Sequence, residues 1–459
     1  GDHHGDALGP HNIELRLRRG IRLRRQNANQ TLARIFQCCH DRPRLQNQWS
    51  AKYLTGGRRL PANDSERVLI AGAGPVGLFA AIRLTGFGIP VTVVERNTNV
   101  GDDIRASTFH PPSLEMMEPY GITEQMVAAG EVVPEWQIRM HVTGEKVLFD
   151  LGRIADLTPY PFRLQFEQSS LCILLDRMLR EEPLAEVIYG TELIGAEQDG
   201  GGVTVQARSG SEERTFIGKF LIAADGGAST VRGLLDIPFD GSMYPERTVL
   251  VTTPFPFADH IEGLSGVSYC WHETGNFALL KLPSRWRASL YFPESLSVDE
   301  VLSDDYLQEQ LLEICPNSDR FEILDKREYR VHQRIVPGYN HGRILLAGDA
   351  AHLNSPTGGM GLNGGLHDAH NLTEKLNDIW HGGDLGLLDL YSRQRHPVAK
   401  NQIIEQADQN RKRMTEKSLE KRREHFAALQ AIAADDDKCR AFLRRSSMIE
   451  GLELASRIT

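Results

Sequence analysis

The stretch Arg67-Val68-Leu69-Ile70-Ala71-Gly72-Ala73-Gly74-Pro75-Val76-Gly77 settles the fold class. Its first five residues form a short apolar run of the kind that makes a buried strand, and an alanine-rich helical segment continues to Leu84. Between them Gly72-x-Gly74-x-x-Gly77 turns strand into helix. Gly72 permits the tight turn, Gly74 lets backbone amides approach a pyrophosphate, and Gly77 lets helix and strand pack closely. Pro75 and Val76 open the helix whose N-terminus faces the negative charge. Pro90-Val91-Thr92-Val93-Val94 supplies a second strand ending in Glu95 and Arg96, with Glu95 eighteen residues beyond Gly77. A carboxylate at that spacing accepts both ribose hydroxyls and disfavours a 2′-phosphate, which selects an unphosphorylated adenosine as in FAD or NAD.

Two further apolar strands end in acids. Phe220-Leu221-Ile222-Ala223-Ala224 runs into Asp225-Gly226-Gly227-Ala228-Ser229-Thr230-Val231-Arg232. Arg343-Ile344-Leu345-Leu346-Ala347 runs into Gly348-Asp349-Ala350-Ala351-His352, then Pro356-Thr357-Gly358-Gly359-Met360-Gly361-Leu362-Asn363. Taken singly, Asp225 reads as a turn former and Asp349 as a helix cap. Each nevertheless stands at a strand's carboxyl end, the edge where open α/β sheets hold ligands, so the three segments are expected to converge on one crevice. Gly359-x-Gly361-x-x-Gly364 repeats the glycine spelling twelve residues beyond the nearest strand, and is expected to be a loop rather than a second dinucleotide site.

In this order, GxGxxG, Asp-Gly and Gly-Asp, the chain resembles the single-component, FAD-dependent aromatic hydroxylases over about residues 66 to 400. The resemblance implies an α/β fold: a discontinuous, Rossmann-like FAD-binding domain with an inserted, mainly antiparallel β-sheet substrate domain and C-terminal helices. It places FAD binding in residues 66–135, 164–240 and 326–399, the substrate domain in 136–163 and 241–325, and a helical segment in 400–459. Glu95 is then expected at the adenosine ribose, Asp349 at the ribitol, and Asp225 at both the diphosphate and the groove where the nicotinamide enters. The backbone amides near Gly359, Gly361, Leu362 and Asn363 are expected to face the flavin ring, and Pro356, Thr357 and Gly358 its reacting edge. By context Arg105 matches an arginine near the flavin phosphates, and Gln168, opening a helix Ser169 to Glu182, a cofactor-contacting glutamine. The pattern departs at His110-Pro111-Pro112-Ser113, where relatives often carry an arginine after His-Pro.

The activity so implied uses NADH or NADPH as a transient co-substrate to reduce FAD. A flavin C4a-hydroperoxide then transfers one oxygen of O2 to a phenolic or related aromatic ring, and the other leaves as water. Short strand-like runs at Gly266–Trp271, Phe277–Leu282 and Trp286–Phe292 make Tyr269, Trp271, His272, Arg287 and Tyr291 the candidate substrate wall, although alternation turns only about half of any strand toward a pocket. Two readings stay open beside this one: a same-fold dehydrogenase, epoxidase or reductase, and a non-catalytic FAD-binding protein.

Composition narrows the rest. The chain has 459 residues, 41% hydrophobic and 25% charged, and a net charge of −9. That balance lacks the basic surplus of a nucleic-acid binder, and no run reaches the roughly 18 uninterrupted apolar residues of a membrane span. Residues 1–65 stand apart: eleven arginines and Lys52 against Asp2, Asp6, Glu14 and Asp41 leave eight surplus positive charges before Asp64, and this extension is expected to be disordered. No metal site is expected, since His-Glu-x-x-His and facial carboxylate spacings are missing, and His367 and His370, three apart, read as structural. The six cysteines, Cys38 and Cys39 adjacent and the other four scattered, form neither a zinc spacing nor a disulfide framework and fit a reducing, cytoplasmic setting. The identity of the ring and the oligomeric state, a homodimer included, stay open.

Overall fold

The computed structural model describes residues 65–101 and 106–459, apart from Thr274, Pro293, Glu294 and Ser318. The extension up to Asp64 and Arg105 therefore lie outside the described residues. Val68–Ala71, buried at every position, is central to a six-stranded sheet. It pairs in parallel with Val91–Val94 on one side and Phe220–Ala223 on the other, and Ile344–Leu346 pairs in parallel with Phe220–Ala223. Ala185–Ile188 closes one edge in parallel and Asn340–His341 the other in antiparallel. Strands buried on both faces have to be apolar throughout, which is why the runs at 68, 91, 220 and 344 stood out in the sequence. Helix Pro75–Gly86 packs against both Met360–Trp380 and Gln168–Arg180.

A second, eight-stranded sheet runs in the order His352–Leu353, Asp325–Ile335, Asp240–Thr253, Arg285–Phe292, Asn276–Leu282, Val267–Trp271, Glu135–Met140, Lys146–Asp150. All its pairs are antiparallel except Val267–Trp271 with Glu135–Met140. Alternation sorts its faces. Val249, Val251, Phe277, Leu279, Trp286, Ala288 and Leu290 pack under helix Asp304–Ile314 as one apolar core. The opposite face carries Leu250, Ala278, Leu280, Arg287, Ser289 and Tyr291 toward a cavity. At the far end of that face, Trp136, Ile138, Val267 and Trp271 are covered by Met414, Phe426, Leu429 and Leu443 of the C-terminal helices.

One expectation changes here. Asp325–Ile335, most of which the sequence division assigned to FAD binding, pairs along its length with Asp240–Thr253 and is a strand of the large sheet. Its residues, DKREYRVHQRI, are half-buried at ten of eleven positions, so no apolar face announced it. Within the expected helical segment 400–459, the charged stretch Arg411 to His425 is divided between Glu405–Thr415 and Leu419–Ala434, the second capped by Ser418. Met414 and Arg422 on it, and Phe426 just after it, are buried against the sheet.

One charge cluster ties the layers together. Asp368, fully buried, accepts from Arg395 Nε at 2.7 Å, His352 Nε2 at 3.1 Å and the Gly348 amide at 3.1 Å. Burial raises the carboxyl, but Arg395 and His352 outweigh it and leave its pKa below the ordinary value. A lowered folded-state pKa contributes stability above the unfolded carboxylate value of about 4 and loses it as the pH falls. Asp368→Ala, which leaves Arg395 buried without its partner, should cost about 3–5 kcal/mol at pH 7, read from the urea midpoint. The gap to the parent protein should narrow as the pH drops below about 4.

Candidate active site

A cavity of about 860 Å³ lies where the parallel strands end. Its walls include Ala71 to Val76 after the first strand, Val94 to Asn97 after the second, Ala224 to Ala228 after Phe220–Ala223, and Ala347 and Asp349 after Ile344–Leu346. Of the residues singled out in the sequence, Gly72, Gly74, Pro75, Val76, Glu95, Arg96, Gln168, Asp225, Asp349, Pro356, Thr357, Gly359, Gly361 and Leu362 line this one cavity. So do Tyr269, Arg287 and Tyr291 from the large sheet.

The remaining candidates sit elsewhere. Gly77 is buried under the turn, where a Cβ would stand 2.0 Å from the Gly72 carbonyl oxygen. Gly358 lines a smaller neighbouring cavity. Asn363 points inward: its Oδ1 accepts from the His110 amide (2.9 Å) and Ser113 Oγ (2.7 Å), and its Nδ2 donates to the carbonyls of Thr108 (2.8 Å) and Gly359 (2.7 Å). Its own amide is the first that helix Met360–Trp380 satisfies internally, so it is not a donor to the cavity. Trp271 shares a face with Tyr269 but lies under the C-terminal helices, its Nε1 donating to the Arg413 carbonyl at 3.2 Å. His272 is beyond the strand's end, beside His141. The Gly359–Gly364 spelling proves to be the start of the Met360 helix rather than a loop, with Gly359 as N-cap. At His110 the chain enters helix Pro111–Met117 through two prolines, which need no amide partner there.

The donors present fit a dinucleotide cofactor. Gly74, at φ −77°, carries no side-chain cap and heads helix Pro75–Gly86, and a Cβ added to it would meet no atom within 4 Å. The space in front of this helix start is thus cavity, with unpaired amides facing it. The Glu95 carboxylate accepts from the amides of Ala73 and Asn97, each at 2.8 Å, which fixes it beside the turn with lone pairs left for hydroxyl donors. Asp225 accepts from Ser229 Oγ at 2.6 Å and the Val231 amide at 3.0 Å, so it both lines the cavity and shapes its own turn. The long helix Met360–Trp380 likewise begins without a side-chain cap, leaving the amides of Met360, Gly361 and Leu362 at the cavity wall.

Sequence reasoning missed several groups. Thr108, Arg232, Leu250 and Tyr329 line the cavity, and Arg232 braces the Asp225 turn through the carbonyls of Ala350 (3.0 Å) and Gly227 (2.7 Å). Glu167, next to Gln168, pairs with Arg287 at 2.7 Å and with Arg285. Arg163, in the strand Arg163–Gln165, is buried behind Tyr269. Burial pushes the Tyr291 hydroxyl up to about 12, so it stays protonated in its hydrogen bond with Thr357.

Known proteins share this arrangement. The FAD-binding domain family matches residues 65–407. The chain is 30% identical over 388 residues to the 6-hydroxy-3-succinoylpyridine 3-monooxygenase of Pseudomonas putida, covering 84% of this chain and 98% of that one. It is 32% identical over 339 residues to the para-nitrophenol 4-monooxygenase of a Pseudomonas species, covering 72% and 83%. The crystal structure of p-nitrophenol 4-monooxygenase from Pseudomonas putida superimposes with a TM-score of 0.80 at 28% identity, over 85% of this chain and 98% of that one. Aklavinone-11 hydroxylase, solved with FAD and aklavinone, gives 0.69 at 26% identity over 77% and 70%. The chain belongs to the FAD-dependent aromatic hydroxylases, enzymes of the flavoprotein monooxygenase class. FAD is its cofactor. Among the described residues no helix is long and apolar enough to cross a membrane.

Gly74 separates folding from cofactor binding. Because a Cβ there meets no protein atom within 4 Å, Gly74→Val should change the unfolding free energy of the FAD-free protein by less than about 1 kcal/mol. FAD affinity, measured by flavin fluorescence titration, should fall at least about 10-fold, equivalent to 1.4 kcal/mol.

Proposed function

We propose that the protein hydroxylates an electron-rich phenolic ring, taking two electrons from NADH or NADPH and one oxygen atom from O2 while the other leaves as water. The observation that carries this reading is the meeting of two walls. The Pro356–Thr357 turn, beside the uncapped Met360 helix, lines the same cavity as Tyr269, Arg287 and Tyr291 of the antiparallel sheet. A ring lying against the sheet is thereby held at the turn. Relatives whose names specify a hydroxypyridine, a nitrophenol and a hydroxyphenylpropionate support a hydroxylated ring as substrate.

FAD bound in the cavity supplies the two-electron transfer and oxygen activation that side chains lack. The chain's part is to bind, orient and exclude water. Glu95 takes the adenosine ribose, Asp349 the ribitol, and Asp225 the diphosphate region and the nicotinamide groove. The amides of Met360, Gly361 and Leu362 stabilise negative charge developing on the ring system through the helix N-terminus. Thr357, fixed by the Tyr291 hydroxyl, keeps the turn in place. Along the chain, the division into a discontinuous FAD-binding part and an inserted substrate part follows the two sheets, with Asp325–Ile335 counted in the second.

The decisive measurement uses the FAD-loaded protein under oxygen-18 gas with a panel of simple phenols, benzoates and heteroaromatic acids. One labelled oxygen per product, formed in step with NAD(P)H oxidation and with little peroxide, is the expected outcome. NAD(P)H oxidation that ignores every ring compound points instead to a different redox reaction on the same fold.

A further inference from the structure

Behind Tyr269, Thr357 and Met360, which also line the main cavity, lies a second cavity of about 30 Å³. It has room for a group the size of one or two waters. Arg163 and Arg413 both line it, with Gln406 and Asn410. Arg163 is 2% exposed, and its Nε and Nη1 are buried without a hydrogen-bond partner. The Trp136 ring lies 4.5 Å from its guanidinium carbon, and the Tyr269 hydroxyl is its polar contact. Arg413 donates from Nη1 to Asn410 Oδ1 at 3.4 Å. Among the described residues no carboxylate pairs with either guanidinium. His110, which feels the Arg163 charge, is buried, hydrogen-bonded to the Gly358 carbonyl, and held neutral with a pKa of about 3 by burial and then by Arg163 itself.

A buried guanidinium at Arg163 and a half-buried one at Arg413, with no acid beside either, are an unstable combination unless a ligand supplies the anion. By contrast the buried Arg287 has Glu167, and the buried Arg395 has Asp368. A planar fork with free N–H groups matches a carboxylate. We infer that this small cavity is an anion subsite for a carboxylate carried by the substrate ring, which makes the substrates hydroxyaryl carboxylic acids. A carboxylate seated on Arg163 and Arg413 places its ring across Tyr269 and Thr357, at the turn where oxygen transfer is assigned. The inference rests on that functional reading, and its test separates the two.

Binding to the FAD-loaded protein is measured by calorimetry for 4-hydroxybenzoate, 4-hydroxyphenylacetate and 3-(4-hydroxyphenyl)propionate, each against its methyl ester. At least one acid should bind 10-fold or more tightly than its ester. That preference should vanish in Arg163→Gln, persist in part in Arg163→Lys, and shrink in Arg413→Gln, with bound FAD per chain reporting that each variant folds. If Arg163→Gln loses FAD, Arg413→Gln decides. Acids and esters binding within two-fold of one another in the parent, or a preference that survives both glutamine variants, overturns the subsite. Hydroxylation of neutral phenols without any gain from a carboxylate removes the subsite and leaves the functional reading standing. Tight acid binding with no labelled oxygen in any product does the reverse.

Discussion

The site exists because backbone comes into contact with backbone at places where any side chain would intervene. A Cβ on Gly72 would lie 2.5 Å from the Ala224 carbonyl oxygen, so the first strand's turn and the Asp225 turn touch directly. Val76 fills the gap on the other side: it would collide with a Cβ at Gly348 (2.9 Å) and at Gly365 (2.6 Å). The glycine turn, the Asp225 turn, the Asp349 turn and the Met360 helix are thus mutually positioned by four residues. Interiors packed at this density do not yield by even a methyl group without displacement. The cavity is what these contacts leave over at the strand ends, and its shape is set by them rather than by its own lining.

Charge is distributed around this scaffold in two ways. Asp368 gathers Arg395, His352 and the Gly348 amide into a closed arrangement in which each oxygen has a donor, and this fixes the turn that carries Asp349. Around Tyr269 the opposite holds. Arg163 and Arg413 bring cationic groups into an apolar corner made by Trp136, Met414 and Phe442 and receive no protein anion in return. A buried arginine paired with an acid serves rigidity, and one left without an acid is a site for something from outside.

What the sequence disclosed follows from the same physics. Runs such as Val68–Ala71 and Phe220–Ala223 are uniformly apolar because both of their faces are buried, and glycines at fixed offsets mark backbone contact, so the cofactor half of the molecule could be read directly. The substrate half could not. Asp325–Ile335 alternates among partly exposed polar residues, and Trp271 is taken from the cavity by helices nearly 150 residues later in the chain, a tertiary fact without local trace. Asn363 fits the family pattern, yet its side chain faces inward to hold His110 and Ser113, so a matching letter gave the correct neighbourhood and the wrong contact. Arg163 had no distinguishing context at all: Phe162-Arg163-Leu164-Gln165 is an ordinary strand, and only the absence of a partnering acid sets the arginine apart.

The order of the central sheet also bears on how the chain reaches its native state. Val68–Ala71 is flanked by Phe220–Ala223, which is flanked in turn by Ile344–Leu346, and every one of these neighbours is distant in sequence. Parallel pairing of such strands requires large loops to close before any contact rewards them, which slows folding and exposes intermediates. On the ribosome the last of these strands emerges only after every other strand of both sheets except His352–Leu353, and the Leu387–Val398 helix that brings Arg395 to Asp368 comes later still. Between the synthesis of Phe220–Ala223 and that of Ile344–Leu346, nascent chains therefore carry an unfinished edge at the earlier strand, the segment that chaperones would have to shield.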